Sequence, residues 1–265
     1  MTLITSRQHA IVRQCRAIAR GDPRHLLLDG WHLLEDARAV GLPIELVAVR
    51  DDVAAHHAAA LNRLASEGTT IAQVSATVMD AVSPVRTPSG VVAIADRPRT
   101  DARALLAPAP ALVVAAVGVQ DPGNVGALIR SADAGGATGV LLDSNSADPW
   151  SWKALRASMG SAFRLPVMRT GQVQDQLRQW GEAGLTIVAS DPRATVDLQA
   201  ADLSVPLVFV MGGEGPGLPQ SIMDAADVCI RIPMRARVES LNVAVASALL
   251  VYEAARQRGQ NAKNQ

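Results

Sequence analysis

Apolar residues in the first part of the chain fall into short runs separated by longer amphipathic stretches. Short runs bounded by turn residues predict buried strands, and apolar spacing of three or four predicts helices. Strands are predicted at Leu26–Asp29, Ile44–Val49, Thr70–Val74 and Val91–Ile94, and helices at Arg7–Ala19, Gly30–Val40 and Val53–Glu67. This alternation indicates a small α/β domain.

The second part of the chain repeats the alternation with more strongly apolar strands. Strands are predicted at Ala111–Val119, Gly139–Leu142, Arg164–Met168, Leu185–Ala189, Leu207–Met211 and Val228–Ile232. The intervening helices are predicted at Asn124–Gly135, Ser151–Ser158, Val173–Glu182 and Asn242–Gln257. Strands that are apolar throughout are typical of a parallel sheet covered by helices on both faces.

A segment rich in proline and alanine separates the two parts. Residues 96–110 read DRPRTDARALLAPAP, and proline interrupts regular structure because it lacks a backbone donor. A chain of 265 residues is long enough for two domains. We therefore predict a domain over residues 1–97, a linker over 98–110 and a second domain over 111–265.

The composition excludes several classes of protein. Hydrophobic residues make up 49% of the chain, and 25 basic residues balance 25 acidic ones, so a packed core is expected and a globally basic nucleic-acid binder is not. The longest apolar run, around Ala111–Val117, is too short to cross a membrane, and residues 1–7 lack the apolar stretch that is typical of a secretory signal. The two cysteines have no metal-like spacing. We expect a cytoplasmic protein with no metal site.

Polar residues follow the strand Ala111–Val119. Pro122 and Gly123 suggest a tight turn, Asn124 is a good helix N-cap, and Arg130 lies further along the same helix. Taken alone, the pattern is equally consistent with a capped helix that carries a surface arginine. A nucleotide phosphate loop is excluded, because the Gly-Lys-[Ser/Thr] ending is absent.

Two later strands also end in unusual loops. The strand Leu207–Met211 leads into the segment Gly212–Gly217, which contains four glycines around Glu214 and lacks the dinucleotide fingerprint spacing. Glycines permit positive φ and close approach of a ligand. After the strand Val228–Ile232, a polar loop leads to Ser240 and Asn242, which are residues typical of a helix start.

These three segments, in this order, resemble the three motifs of the SpoU (TrmH-type) class of SPOUT RNA methyltransferases. Asn124–Arg130 is similar to motif one, Gly212–Gly217 to motif two and Ile232–Val245 to motif three. Arg156–Pro166 resembles the middle region of the family, and the resemblance covers about Leu112–Arg258. It implies a parallel-sheet SPOUT domain with a deep trefoil knot, S-adenosylmethionine as cofactor, and a homodimer formed through the C-terminal domain.

The resemblance also implies roles for individual residues. The cofactor is expected in the knotted loops, mainly on backbone groups of Gly212, Ile232 and Leu241, with Met211, Gly213 and Met234 beside them. The reaction is methyl transfer to a ribose 2′-hydroxyl. A guanidinium stays protonated in proteins and therefore cannot accept a proton as an ordinary base does. Arg130 is thus expected to stabilise the developing alkoxide. Positioning roles are expected for Asn124, Glu214, Ser240 and Asn242.

The N-terminal part resembles the ribosomal-protein L30e-like RNA-binding domain, with Asp29 where the family more often has glutamate. Residues 1–25 carry five arginines and one acidic residue, and such a basic stripe can follow phosphates. The arginines are Arg7, Arg13, Arg16, Arg20 and Arg24. An ordinary solvated helix face is the alternative. A second basic group, Arg231, Arg235 and Arg237, borders the expected cofactor loop and could contact RNA.

The combined expectation is an enzyme that methylates a ribose 2′-hydroxyl in RNA. The L30e-like extension favours ribosomal RNA, 23S ribosomal RNA above all, because the tRNA-acting relatives usually carry only short extensions. Two alternatives stay open: methylation of tRNA, and a non-catalytic RNA-binding or ribosome-assembly protein.

Overall fold

The computed structural model of the chain describes residues 3–107, 109–213, 217–235 and 237–263. The chain forms two compact units. The first comprises the chain up to Pro98 together with Trp150–Phe163, and the second comprises Arg99–Pro149 and the chain from Arg164 onward.

The first unit is built on a four-stranded mixed sheet with the order β1-β4-β2-β3. Strand β4 runs antiparallel to both β1 and β2, whereas β2 and β3 are parallel. The strands are β1 His25–Asp29, β2 Ile44–Arg50, β3 Thr70–Val74 and β4 Val91–Asp96. All four strands predicted in this part of the chain are therefore present.

Helices cover this sheet. They are α1 Ala10–Arg20, α2 Trp31–Ala39, α3 Asp51–Ala54, α4 Ala58–Ser66 and α5 Ala76–Val82. Helix α1 places Ile11, Cys15 and Ile18 in the core, at the spacing that puts them on one face. Burial raises the pKa of the Cys15 thiol to about 12, so this cysteine is an inert core residue.

One prediction for this unit was wrong in detail, and one helix was missed. The continuous helix predicted at Val53–Glu67 is broken by a 3₁₀ turn over Ala55–His57. Helix α5 was not predicted. Its β-branched residues lower the helix propensity of the segment. In the folded chain, however, the helix buries Val78 and Met79 in the core, and this packing stabilises it.

The second unit contains a seven-stranded sheet with the order β7-β6-β5-β10-β8-β11-β9. Every strand pair in it is parallel, as predicted. Strands β5 and β6 are buried along their whole length. The strands are β5 Leu112–Val117, β6 Gly139–Asp143, β7 Val167–Thr170, β8 Thr186–Ser190, β9 Val196–Asp197, β10 Leu207–Gly212 and β11 Val228–Arg231.

The remaining helices lie between the strands of the second sheet in the sequence, except for the last helix, which follows β11. They are α6 Pro122–Ala134, α7 Trp152–Ser158, α8 Ser161–Arg164, α9 Val173–Glu182, α10 Gln220–Met223 and α11 Val243–Lys263. Helices α6 and α11 pack closely, and a Cβ atom added to Gly135 would lie 2.5 Å from Cγ1 of Val251. Helix α7 belongs to the first unit, although it follows β6 in the chain.

The α/β architecture and the parallel sheet are confirmed. The division into units differs from the predicted domains at residues 150–163, which were expected in the C-terminal domain and cluster with the first unit. The trefoil knot stays a prediction, because strand order does not by itself define how a chain threads.

Candidate active site

A cavity of about 880 Å³ lies where several parallel strands of the second unit end. Ligands of open α/β sheets bind at this carboxyl edge. The wall comes from the segments that follow β8, β10 and β11 and from the start of α11. It consists of Ser190–Arg193, Met211–Gly213, Gly217, Arg231–Arg235, Val238–Leu241, Val243 and Ala246.

Two glycines let backbone segments meet beside this cavity. A Cβ atom added to Gly213 would lie 1.9 Å from the carbonyl oxygen of Gly118, and one added to Gly212 would lie 2.5 Å from the carbonyl carbon of Gly217. The Gly213 N–H also donates to the Val117 carbonyl at 2.7 Å. The loop after β10 therefore rests directly on the loop after β5, and a side chain at either glycine would separate the two segments.

The loop after β5 is in turn held by the loop after β6. Asp143 is 4% exposed, and its Oδ1 accepts hydrogen bonds from the Gly118 N–H at 2.9 Å and from the Ser146 hydroxyl at 2.6 Å. The Ser146 hydroxyl oxygen accepts the Val119 N–H at 3.0 Å. A buried carboxylate satisfied by such donors is a rigid support. Asp143 and Ser146 thus position Gly118 against Gly213, a role that the sequence analysis missed.

Asn124 and Asn242 join the first and third motif segments. Nδ2 of Asn242 donates to Oδ1 of Asn124 at 2.9 Å, although 118 positions separate them. Oδ1 of Asn242 accepts the Ala244 N–H at 3.0 Å and so caps α11, as predicted. The N-cap of α6 is Asp121 and not Asn124: the Asp121 Oδ1 accepts the Asn124 N–H at 2.9 Å. The Asn124 side chain is thereby available to bond Asn242.

An ion pair that the sequence analysis did not single out lies on the cavity wall. Both Oδ atoms of Asp191 accept hydrogen bonds from the Arg193 side chain, at 3.1 Å from Nε and 2.9 Å from Nη2. The hydrogen bond from this guanidinium is the main cause that lowers the pKa of Asp191. Burial, with a smaller contribution from the Asp191 charge, raises the pKa of Cys229. The sequence feature that could have indicated the Asp191–Arg193 pair is the segment Ser190-Asp-Pro-Arg193, which is a fourth polar segment at the end of a strand.

The predicted site residues occupy distinct places around the cavity. Every predicted cofactor contact lies on its wall, as does Ser240, while Arg130 lies outside it on an exposed part of α6. No hydrogen bond or ion pair of the Arg130 side chain occurs among the residues that the structure describes. Glu214 lies outside the described residues. These predicted cofactor contacts are Met211, Gly212, Gly213, Ile232, Met234 and Leu241.

The five arginines that the sequence predicted to bind RNA are all exposed. Helix α1 ends at Arg20, one residue beyond its predicted end at Ala19. Arg13, Arg16 and Arg20 therefore share the helix, and Arg24 lies beyond it. Nε of Arg16 donates to the Ala81 carbonyl at 3.1 Å. Arg16 therefore ties α1 to the end of α5.

The described part of the chain contains no group of three or more His, Cys, Asp or Glu side chains placed to hold a metal ion. Among the same residues, no helix combines the length and the apolar character needed to cross a membrane.

The cavity suits a ligand of nucleoside size. Its volume falls within the range of roughly 300–1,000 Å³ that is typical of small-molecule sites. Gly212 and Gly213 expose backbone groups at its wall, and Met211, Ile232 and Leu241 supply apolar contact. This combination fits a planar base whose polar edge meets backbone donors and acceptors.

Two family models match the chain. The SpoU rRNA Methylase family matches residues 111–252, and the MRM3-like substrate binding domain matches residues 16–93. A Synechocystis protein described as an uncharacterized tRNA/rRNA methyltransferase is 33% identical over 261 residues, which cover 96% of this chain and 94% of that protein.

Solved structures of similar proteins cover both units. An AdoMet-bound rRNA methyltransferase from Sinorhizobium meliloti is 32% identical, with a TM-score of 0.86 over 96% of this chain and 97% of that one. A structure described as an RNA 2′-O ribose methyltransferase is 31% identical, with a TM-score of 0.81 over 97% of this chain and 99% of the other.

Proposed function

Because the chain belongs to the SpoU rRNA methylase family, we propose that it uses S-adenosylmethionine to methylate a ribose 2′-hydroxyl of ribosomal RNA in the cytoplasm. The observation that carries the proposal is the cavity itself. Segments from the second and third motif regions line it, and the Asn124–Asn242 hydrogen bond joins the third to the first.

The cavity wall would hold the cofactor. Backbone groups of Gly212 and Gly213 would meet the edge of the adenine, and Ile232 and Leu241 would cover its faces. When bound, S-adenosylmethionine supplies an electrophilic methyl group. The chain must therefore align the ribose hydroxyl and favour its loss of a proton.

Arg130 is the proposed catalytic residue. Negative charge develops on the 2′-oxygen as its proton passes to solvent water, and a fixed guanidinium stabilises that charge most strongly in the transition state. Arg130 shares α6 with Asn124, whose side chain is tied to Asn242. Asn242 lies between Leu241 and Val243, which line the cavity. Asn124 and Asn242 would act as positioning residues, and Ser240 would contact the substrate from the cavity wall. Glu214 is proposed to position the glycine-rich loop.

Substitution of Arg130 tests this assignment. Arg130→Ala should lower the methyl-transfer rate about 10²- to 10³-fold, the usual cost of losing one oriented donor, and should leave S-adenosylmethionine affinity unchanged. Arg130→Lys should restore only part of the rate, since an ammonium lacks the planar fork. Single-turnover transfer measures the rate and calorimetry the affinity. Wild-type turnover in Arg130→Ala would contradict the role.

The first unit is proposed to bind the RNA substrate. Its exposed arginines Arg7, Arg13, Arg20 and Arg24 can place positive charges next to the phosphate backbone. Arg16 would also contact phosphate while its Nε keeps the hydrogen bond to the Ala81 carbonyl. A domain of this size in front of the methyltransferase domain favours ribosomal RNA over tRNA.

Transfer of labelled methyl groups tests the function. We expect the purified chain to label deproteinised ribosomal RNA and not tRNA, and the label to map to a ribose. Labelling of tRNA alone would replace the proposed substrate. Absence of both labelling and S-adenosylmethionine binding would point to a non-catalytic RNA-binding protein.

A homodimer through α11 is also proposed. Val245, Leu249 and Tyr252 are exposed by 50%, 44% and 55%, and their spacing places them on one side of the helix. Such an apolar stripe on a surface helix is typical of an interface with another protein.

A further inference from the structure

Two arginines on the cavity wall are each held by an aspartate. Arg193 bonds Asp191 through Nε and Nη2, as described above. Nε of Arg231 donates to Oδ1 of Asp197 at 2.6 Å. A guanidinium held in this way loses little further freedom when it binds a ligand.

The sheet places these two pairs next to each other. Strands β8 and β11 are neighbours, and the Asp191 N–H donates to the carbonyl of Ile230, the residue before Arg231. On its other side, β11 pairs with β9, where Arg231 lies opposite Asp197. Both arginine side chains therefore stand at one edge of the sheet and border the same cavity.

Each arginine keeps donors free of these bonds. The Arg193 side chain is 88% exposed and the Arg231 side chain 45% exposed. Nη1 of Arg193 and both Nη atoms of Arg231 take no part in the bonds to aspartate. The free edge of a guanidinium can donate two parallel hydrogen bonds to two oxygens of a phosphate or a carboxylate.

The charges on and beside this cavity wall balance. Asp191 offsets Arg193 and Asp197 offsets Arg231, while Arg235 and Glu239 add one charge of each sign. The wall therefore offers fixed, oriented donors more than a strong overall potential. A ligand that benefits is an oxyanion bound by direct hydrogen bonds at short range.

We propose that Arg193 and Arg231 bind backbone phosphates of the RNA at the mouth of the cavity. This inference rests on the proposed function. A ribose 2′-hydroxyl is attached next to the 3′-phosphodiester, so an RNA that brings its ribose to the cofactor cavity brings phosphates to the cavity mouth. These contacts would set the register of the strand and carry no base specificity.

The carboxylate of the cofactor offers similar oxyanion chemistry, and salt dependence separates the two. Binding of labelled, deproteinised ribosomal RNA is measured over a series of salt concentrations for the wild type, Arg193→Ala, Arg231→Ala and the double variant. Each lost phosphate contact should reduce the slope of log K against log[salt] by about 0.7–1. S-adenosylmethionine affinity, measured by calorimetry, should stay unchanged.

Arg178→Ala is the matched control. Arg178 is an exposed arginine of the same unit that also pairs with carboxylates, Asp175 and Glu182, and it lies on α9 away from the cavity wall. Its slope should equal that of the wild type. Arg193→Lys and Arg231→Lys should keep the slope, because the charge remains, and should bind RNA more weakly, because the fork is lost.

The outcomes of these experiments distinguish a failure of phosphate binding by Arg193 and Arg231 from a failure of the proposed methyltransferase function. Unchanged slopes in both single variants would overturn the proposal, and a loss of S-adenosylmethionine affinity with unchanged slopes would assign the arginines to the cofactor instead. Methyl transfer by the wild type on the same RNA is the independent check of the proposed function. A reduced slope in both single variants, with wild-type cofactor affinity, supports the proposal.

Discussion

At the scale of single residues, the identity of Gly213 is decided by a contact between two backbones. The space that a Cβ atom would need is occupied by the Gly118 carbonyl, which Asp143 and Ser146 hold in place from the other side. A larger residue must therefore displace the loop after β10, where the cofactor is expected.

Gly213→Ala should weaken S-adenosylmethionine binding. Overpacking typically costs about 1–3 kcal/mol, which corresponds to roughly 5- to 150-fold in affinity when the bound loop conformation bears the cost. Calorimetry measures the affinity. Gly171→Ala is the control, because nothing lies within 4 Å of a Cβ atom at Gly171. Equal affinities of the two variants would show that the loop does not form the cofactor site.

Asp29 is a partly buried carboxylate of the first unit. Burial is the largest influence on its pKa and raises it, against the opposing effects of the Ser83 hydroxyl and the charge of Arg156. A raised pKa in the folded state means that ionisation opposes folding. Protonated Asp29 therefore contributes stability that is fully present below the unfolded-state pKa near 4. This contribution is lost as the pH rises through the folded-state pKa.

Asp29→Asn should therefore be more stable than the wild type at pH 7, because the amide avoids a buried charge and its oxygen still accepts the Ser83 hydroxyl. The difference should shrink as the pH falls and vanish below about pH 4. Urea unfolding at several pH values measures it. A pH-independent difference would show that ionisation of Asp29 is not its cause.

At the scale of secondary-structure elements, α11 is anchored near its C-terminal end by one arginine. Arg258 donates to the carbonyls of Pro110, Ala111, Leu203 and Val205 at 2.7–3.2 Å. Burial lowers the pKa of this guanidinium. One side chain thus ties α11 to the segments that precede β5 and β10, the two strands whose far ends build the glycine loops.

Arg258→Ala should destabilise the chain by about 3 kcal/mol, because several partly buried carbonyls lose their donor. Arg256→Ala, two positions earlier on α11, is the control. The Arg256 side chain is 50% exposed, so the loss of its ion pair with Glu253 should cost about 1 kcal/mol or less. Chemical denaturation of both variants measures these values, and similar losses would contradict the anchoring role of Arg258.

At the scale of the whole molecule, the proposed dimer makes a direct prediction. The wild type should have twice the mass of the 27.8 kDa chain in light scattering at micromolar concentration. Leu249→Arg should yield a monomer, because it places a charge within the apolar stripe of α11.

Val40→Arg is the matched control, since Val40 is a comparably exposed apolar residue (46%) in the first unit. It should leave the dimer intact. A monomeric wild type, or a dimeric Leu249→Arg, would contradict an interface on α11.

The sequence by itself determined the α/β class, the parallel sheet and the positions of most of its strands. Strands such as Leu112–Val117 and Leu207–Gly212 are buried on both faces, so their apolar runs appear directly in the sequence. The order and spacing of the three motifs were also sufficient to indicate the family, because such local patterns need no knowledge of distant contacts.

Only the tertiary structure decided which distant residues support one another. The Asn124–Asn242 bond, the Asp143 support of Gly118 and the Arg231–Asp197 pair join segments far apart in the chain. The pairing of β8 with β11 brings Arg231 beside the local Asp191–Arg193 pair. The same holds for residues 150–163, which follow β6 and cluster with the first unit. Hydrogen bonds and ion pairs act over a few ångströms, and the distances between such residues are set by strand order and packing, which no local pattern in the sequence encodes.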